Sequence, residues 1–194
     1  NVIMKAVDER DEGDRASGTL SLQVTDGKGR SRSRSLKMWS KKFDQGRKQM
    51  MIFSDPADVA GTGLLSVDYD AGRREDDQWL YLPSLKKATR ISSGEKSGSF
   101  MGTDLTYADM TTRDPTDFKY SMDKASVKVG DEDCWLIIAK PATAEVQRET
   151  GYLKSKIWVS KSNLMVRQIK AYVLEGRKLK YIRFDDIKKI DLYV

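Results

Sequence analysis

The chain has 194 residues, 39% of them apolar and 33% charged, which suits one globular domain and argues against a disordered chain. No run approaches the roughly 18 consecutive apolar residues of a membrane-spanning helix, the longest being CWLIIA from Cys134 to Ala139. Histidine is absent, which removes Ser-His and Cys-His nucleophile pairs and His-ligated metals, while a net charge of +6 suits nucleic acid, anionic lipid or an acidic protein alike.

The opening NVIMKAVDERDE places Val2, Ile3, Ala6 and Val7 on one side at helical spacing. From Leu20 the period becomes two. Leu20, Leu22 and Val24 share a face, Asp26-Gly27 and Gly29 offer a turn, and a second alternating run follows, which predicts a hairpin. Its RSRSRS, Arg30 to Ser35, leads straight into LKMW and reads as an edge-like strand with basic residues on one face, being too short for an Arg-Ser recognition tail.

SDPADVAG, Ser54 to Gly61, reads as one capped turn with Pro56 near its first position. Strands are predicted over 48–54, 63–69, 78–82, 88–91, 118–122, 125–129, 134–141, 153–160, 166–174 and 178–184. Turn signals at 70–77, 128–133, 160–163 and 175–178 leave connections too short for crossover helices, so the strands form an antiparallel meander. In WLYLP, Trp79 and Tyr81 face one side and Leu80 and Leu82 the other, and both sides are expected to be covered. Thr103 to Met110 is a short helix candidate with Thr106 and Asp109 spaced as a capping box. Cys134, alone in an apolar run, is expected to be a small buried hydrophobe without a disulfide. The fold class read from these elements is α+β, mostly antiparallel β, in a single domain over 1–194.

ISSGEKSGSFMGTDLTY, residues 91–107, carries the strongest compositional bias. No phosphate-binding glycine pattern fits Gly94, Gly98 and Gly102, and no strand–helix crossover surrounds them. Its S-x-x-K string at Ser93 to Lys96 recurs at Ser84 to Lys87 and at Ser121 to Lys124, without the S-D-N and K-T-G companions of serine acyltransferases. The acidic clusters match no EF-hand loop. No catalytic residue, cofactor or metal site is therefore assigned. Nor is nucleic-acid binding, because the basic residues are interleaved with 29 acids and lack RNP aromatics or helix-turn-helix spacing. Phe100, Met101, Leu105, Tyr107 and Met110 either pack as core or close over a cavity. Eight Met and four Trp, the latter at or in predicted strands, are adaptable side chains suited to a cavity wall.

FSDPADVAGTGLL, DDQWLYLPSLKKATRIS and SGSFMGTDLTYADM, in that order and spacing, resemble the signature run of the LolA-like outer-membrane lipoprotein-sorting protein family, in its exporter-associated branch. The likeness is sharpest over Phe53 to Met110 and extends more loosely through SKIWVSKSNLMVRQI. It implies a strongly curved, open half-barrel sheet with short helices and a loop plugging its concave face. It further implies a non-catalytic periplasmic carrier, without cofactor, that binds acyl chains of lipids or lipoproteins for transfer between the inner membrane or an RND-type exporter and the outer membrane. The alternative it leaves open is a periplasmic sensor that uses the same cavity to signal to a membrane partner. A monomer making transient membrane contact is expected. With no N-terminal Cys for lipid attachment, a free carrier or sensor is expected rather than a tethered receptor.

On this reading Trp39, Phe53, Leu65, Trp79, Tyr81, Phe100, Met101, Leu105, Tyr107, Met110 and Trp158 form the cavity and its lid. Gly94, Gly98 and Gly102 serve as hinges. Arg30, Arg32, Arg34, Lys86, Lys87 and Arg90 are candidates for headgroup or protein contacts.

Overall fold

The computed structural model describes residues 2–10, 13–25, 28–70, 75–175 and 179–185. The predicted Asp26-Gly27 turn, residues 71–74 of the predicted 70–77 turn, and Gly176 to Lys178 lie outside the described residues. The fold is α+β and mostly antiparallel β, as the alternation predicts, with the strands among the described residues in two open sheets of six and five. Two compact units carry them, one formed by residues 11–114 and the other by 1–10 with 115–194, where the sequence reading treats 1–194 as one domain.

In the 11–114 unit, β1 (Arg15–Thr25), β2 (Ser31–Phe43), β3 (Gly46–Asp55), β4 (Gly63–Tyr69), β5 (Asp77–Leu82) and β6 (Lys87–Arg90) lie side by side in chain order. Because strand side chains alternate, register decides which residues share a face. One face carries the row Met38, Met51, Leu64, Leu80, and beside it Leu20, Leu36 and Phe53. The opposite face carries Ser17, Trp39, Met50, Leu65, Trp79 and Arg90 in register across all six strands. It is flanked by the rows Thr19, Lys37, Ile52, Gly63, Tyr81, Ala88 and Arg15, Lys41, Lys48, Val67, Asp77.

The first face is the core. Leu36, Met51, Phe53, Val59, Leu64, Ile91 and Phe100 form one buried cluster there. Gly46 lets the β2–β3 turn pass β4 closely: its φ is +144° and a Cβ there would come within 2.0 Å of the Asp68 carbonyl oxygen. The predicted capped turn at Ser54–Gly61 is a turn in which Val59 and Ala60 N–H donate to the Pro56 carbonyl, and the Asp55–Pro56 peptide is cis.

In the other unit, β7 (Phe118–Val129), β8 (Glu132–Pro141), β9 (Tyr152–Ser160), β10 (Val166–Val173) and β11 (Leu179–Arg183) also follow one another across their sheet. Helix α1 (Val2–Asp8) sets Met4, Ile3 and Val7 on a core of Phe118, Ile137, Ala139, Ile157 and Val159, which Val146 of α2 (Ala144–Thr150) joins. The two strands predicted at 118–122 and 125–129 are one, β7, with register shifts between Met122 and Val127. Helix α2 is missing from the sequence reading, although its signals are present. Thr143 Oγ1 caps it by accepting from Val146 N–H at 3.2 Å, and Gly151 ends it at φ +73°. Cys134 is free and fully buried in β8, as expected, and burial raises its thiol pKa.

Candidate functional site

The segment from Ile91 to Asp114 follows β6 and folds against the core face of its own sheet. Its conformation is set locally by short side chains that bond to nearby backbone. Ser92 N–H and Oγ donate to Glu95 Oε2 at 2.9 and 2.6 Å, bonds that hold the Glu95 carboxyl below its ordinary pKa. Phe100 N–H donates to the Leu105 carbonyl at 2.7 Å and Ser99 bridges to Thr106, closing a small hairpin. At its tip Met101 and Gly102 both take left-handed backbone, with φ of 51° and 71°. The predicted Thr106/Asp109 capping box is present, with Thr106 N–H donating to Asp109 Oδ2 at 2.9 Å and Asp109 N–H to Thr106 Oγ1 at 3.3 Å. The helix predicted over Thr103–Met110 is reduced to a 3-10 turn over Tyr107–Met110.

Aromatic packing and buried polar ties fasten this segment to the sheet. Phe100 has no exposed surface, and its ring centroid lies 5.8 Å from that of Phe53 and 5.7 Å from that of Tyr107. Gln78 Nε2 donates to the Tyr107 carbonyl at 3.0 Å and to Ser66 Oγ at 3.2 Å. Thr112 N–H and Oγ1 donate to Asp68 Oδ2 at 3.2 and 2.9 Å. The Arg34 guanidinium donates to the Met101 carbonyl. Burial pushes the Asp68 carboxyl up to about 6, with the nearby Asp76 charge adding to the rise and the Thr112 bonds opposing it.

Between this segment and β1–β3 a cavity of about 270 Å³ remains, lined by Leu20, Leu22, Leu36, Met38, Met51, Phe100, Leu105 and Met110, with Gln49, Asp109, Thr111 and Thr112 completing the wall. An apolar cavity of about 150 Å³ is already enough to take benzene. One side of the cavity is β1, an edge strand, where Leu20 is 39% exposed. The arrangement offers apolar volume and an adaptable thioether wall.

A family model described as "Uncharacterized protein" matches residues 45–194. An outer membrane lipoprotein-sorting protein domain from Vibrio parahaemolyticus is 30% identical, with 97% of this chain and 78% of that one aligned at a TM-score of 0.87. The chain belongs to the LolA-like outer-membrane lipoprotein-sorting family. A DUF1329 family protein from Desulfovibrio piger is 28% identical, covering 98% and 79% of the two chains at a TM-score of 0.86. A LolA superfamily protein from Nitrosomonas europaea, 20% identical over 97% and 78% of the chains with a TM-score of 0.68, shares the fold. No curated protein matches the chain.

In this LolA-like chain the structure brings together only part of the predicted site. Phe53, Phe100, Met101, Leu105, Tyr107 and Met110 belong to the core face or the segment packed on it, and Phe100, Leu105 and Met110 line the cavity. Trp39, Leu65, Trp79 and Tyr81 do not line it: each stands one residue out of phase with the core row of its strand, so all four fall on the opposite face. Tyr81 is 40% exposed there, so the expectation that both sides of WLYLP are covered also fails. Trp158 lies in β9 of the other unit, paired with Leu136 and Gln168, off the row Ile137, Ile157, Ile169 that forms that unit's core.

The hinge glycines differ from one another. Gly102 has positive φ, a Cβ on Gly98 would come within 2.9 Å of the Glu95 carbonyl oxygen, and Gly94 has open space around it. Sequence reasoning missed Leu20, Leu22, Leu36, Met38 and Met51 as cavity lining and Ser66, Asp68, Gln78 and Thr112 as ties. The Leu20–Leu22 alternation was a usable signal; the polar ties had none, since their partners lie many residues away.

Proposed function

We propose that this LolA-like chain is a non-catalytic periplasmic carrier that binds an acyl chain of a lipid or lipoprotein in the cavity under β1–β3, for transfer from an inner-membrane donor such as an RND-type exporter toward the outer membrane. The observation that carries the proposal is the 270 Å³ cavity whose wall is largely leucine, methionine and phenylalanine. Hydrophobic transfer supplies the binding energy. Each buried methylene contributes about 0.8 kcal/mol, so about ten would offset the partial displacement of Leu105 and Met110 into solvent. Because the half-buried Leu105, Tyr107 and Met110 pack against the core cluster rather than within it, they can yield while Phe100 stays seated on Phe53. Contacts of this type select chain length loosely, so the cargo is a class of acyl chains rather than one lipid.

The test is uptake of a fluorescent fatty-acid analogue by the delipidated protein, together with native mass spectrometry of protein isolated from a periplasm. Stoichiometric uptake, blocked when Met38 and Met51 are replaced by larger aromatic residues that fill the cavity, is expected. Uptake unaffected by filling the cavity would place the ligand elsewhere, and no uptake together with ligand-free protein would end the carrier reading.

A further inference from the structure

The face of the six-stranded sheet opposite the cavity has a composition unlike either a solvated surface or a core. Trp39, Ile52 and Tyr81 are 42%, 36% and 40% exposed on it, in adjoining rows with Met50, Leu65 and Trp79. Around Trp39 stand four exposed cations, Lys37 and Lys41 on its own strand, Arg15 across from Lys41 on β1, and Lys48 across from it on β3. The three rows contain one carboxylate, Asp77, which is 3% exposed and accepts from Arg90 at 2.6 and 2.9 Å. Beside Trp39, at the β1–β2 edge, the surface dips into a dish of about 450 Å³ lined by Arg15, Ser17, Trp39 and Lys41 of this face, with Ala16 and Ser40, which alternate onto the other, completing it.

We propose that this face docks the protein on a membrane surface rich in anionic phospholipid, with the dish at Trp39 seating a lipid phosphate between Arg15 and Lys41. The chemistry favours lipid over a folded partner. Tryptophan and tyrosine settle at the boundary between headgroups and acyl chains, where the ring is sheltered and its N–H or O–H stays hydrated. Clustered Lys and Arg are drawn to the negative surface potential, each strengthening binding about five-fold at low salt. A sheet face that opens into a dish suits a deformable lipid surface, which needs no matching knobs. The inference uses neither the cavity nor the plug and holds whether or not the cavity takes an acyl chain.

Co-sedimentation and tryptophan emission would be followed for the full chain with vesicles of phosphatidylcholine, with and without phosphatidylglycerol. Binding is expected only to the anionic vesicles, with a blue shift and with weakening as salt rises. Lys37→Glu/Lys41→Glu should weaken it at least about tenfold, and Trp39→Ser should reduce the blue shift and weaken binding severalfold. Lys119→Glu/Lys128→Glu, which changes net charge equally on exposed positions of β7, should bind like the parent. Cavity-filling variants at Met38 and Met51 should also bind vesicles normally, so a failure of the carrier reading is distinguishable from a failure here. Equal binding to neutral vesicles, equal losses from both charge-reversal pairs, or no vesicle binding alongside tight binding to poly-glutamate would each overturn the proposal, the last by placing an acidic polypeptide on this face.

Discussion

The two faces of the six-stranded sheet come from the same alternating strands and carry similar numbers of large apolar side chains, yet burial separates them. On the cavity face Leu36, Phe53 and Leu64 are closed over by Phe100 and its neighbours, and the polar Ser66, Asp68 and Gln78 are buried with them. On the other face Trp39 remains 42% exposed, whereas the polar Gln78 of the cavity face has no exposed surface at all. Hydrophobicity did not make that assignment. The 91–114 segment covers one face, and its backbone needed partners, which Gln78, Asp68 and Arg34 supply.

The sharpest way to break this contrast is to truncate one aromatic from each side. Phe100→Ala should destabilise the protein by about 3–5 kcal/mol in urea unfolding, because a fully buried ring leaves a void between Phe53 and Tyr107. Trp39→Ala should cost less than about 1 kcal/mol. Comparable losses would mean that the Trp39 face is structural rather than a surface.

A second effect separates the faces by pH. The Asp68 carboxyl is raised from its ordinary 3.8 to about 6, so the folded chain binds a proton that the unfolded chain has already lost between those values. Its contribution to stability is therefore fully present below about pH 4 and is lost as pH rises through about 6, a change of about 2–3 kcal/mol. Asp68→Asn keeps an acceptor for Thr112 and should remove this slope without loss of stability at neutral pH. An unchanged slope in the variant would assign the titration to another group.

Smaller effects sharpen the account of the plug. Leu105→Ala, which opens the half-buried cavity wall, should cost about 1–2 kcal/mol and raise the rate of fatty-acid uptake severalfold. Slower uptake would make Leu105 part of the binding surface rather than an obstacle. Gly102→Ala, at φ +71° with open space around it, should cost about 1 kcal/mol through backbone strain alone and slow any rearrangement of the hairpin tip. A neutral result in both stability and uptake kinetics would remove Gly102 from the hinge set.

Much of the architecture was legible in the chain. Period-two alternation gave most of the strands, with β4 matching its predicted Gly63–Tyr69 limits, because a sheet buried on one face forces that period on its side chains. Thr106 and Asp109 announced their capping box because the bond spans three residues. Helix α2 is absent from the sequence reading although Thr143 and Gly151 signal it, and the β7 irregularity at Met122–Val127 mimics in sequence a break between two strands. Those misses are local, and each left a readable trace.

The candidate site divides differently. The sequence by itself determined that strands alternate, that Trp39 and Met38 point opposite ways, and that a glycine- and serine-rich segment follows β6. Only the tertiary structure decided which of the two alternating sets lies under that segment. Both sets are apolar enough to be core, so propensity and period are silent between them. The choice rests on long-range bonds, Gln78 to Tyr107, Asp68 to Thr112 and Arg34 to Met101, which join residues 29 or more positions apart and which no local pattern encodes.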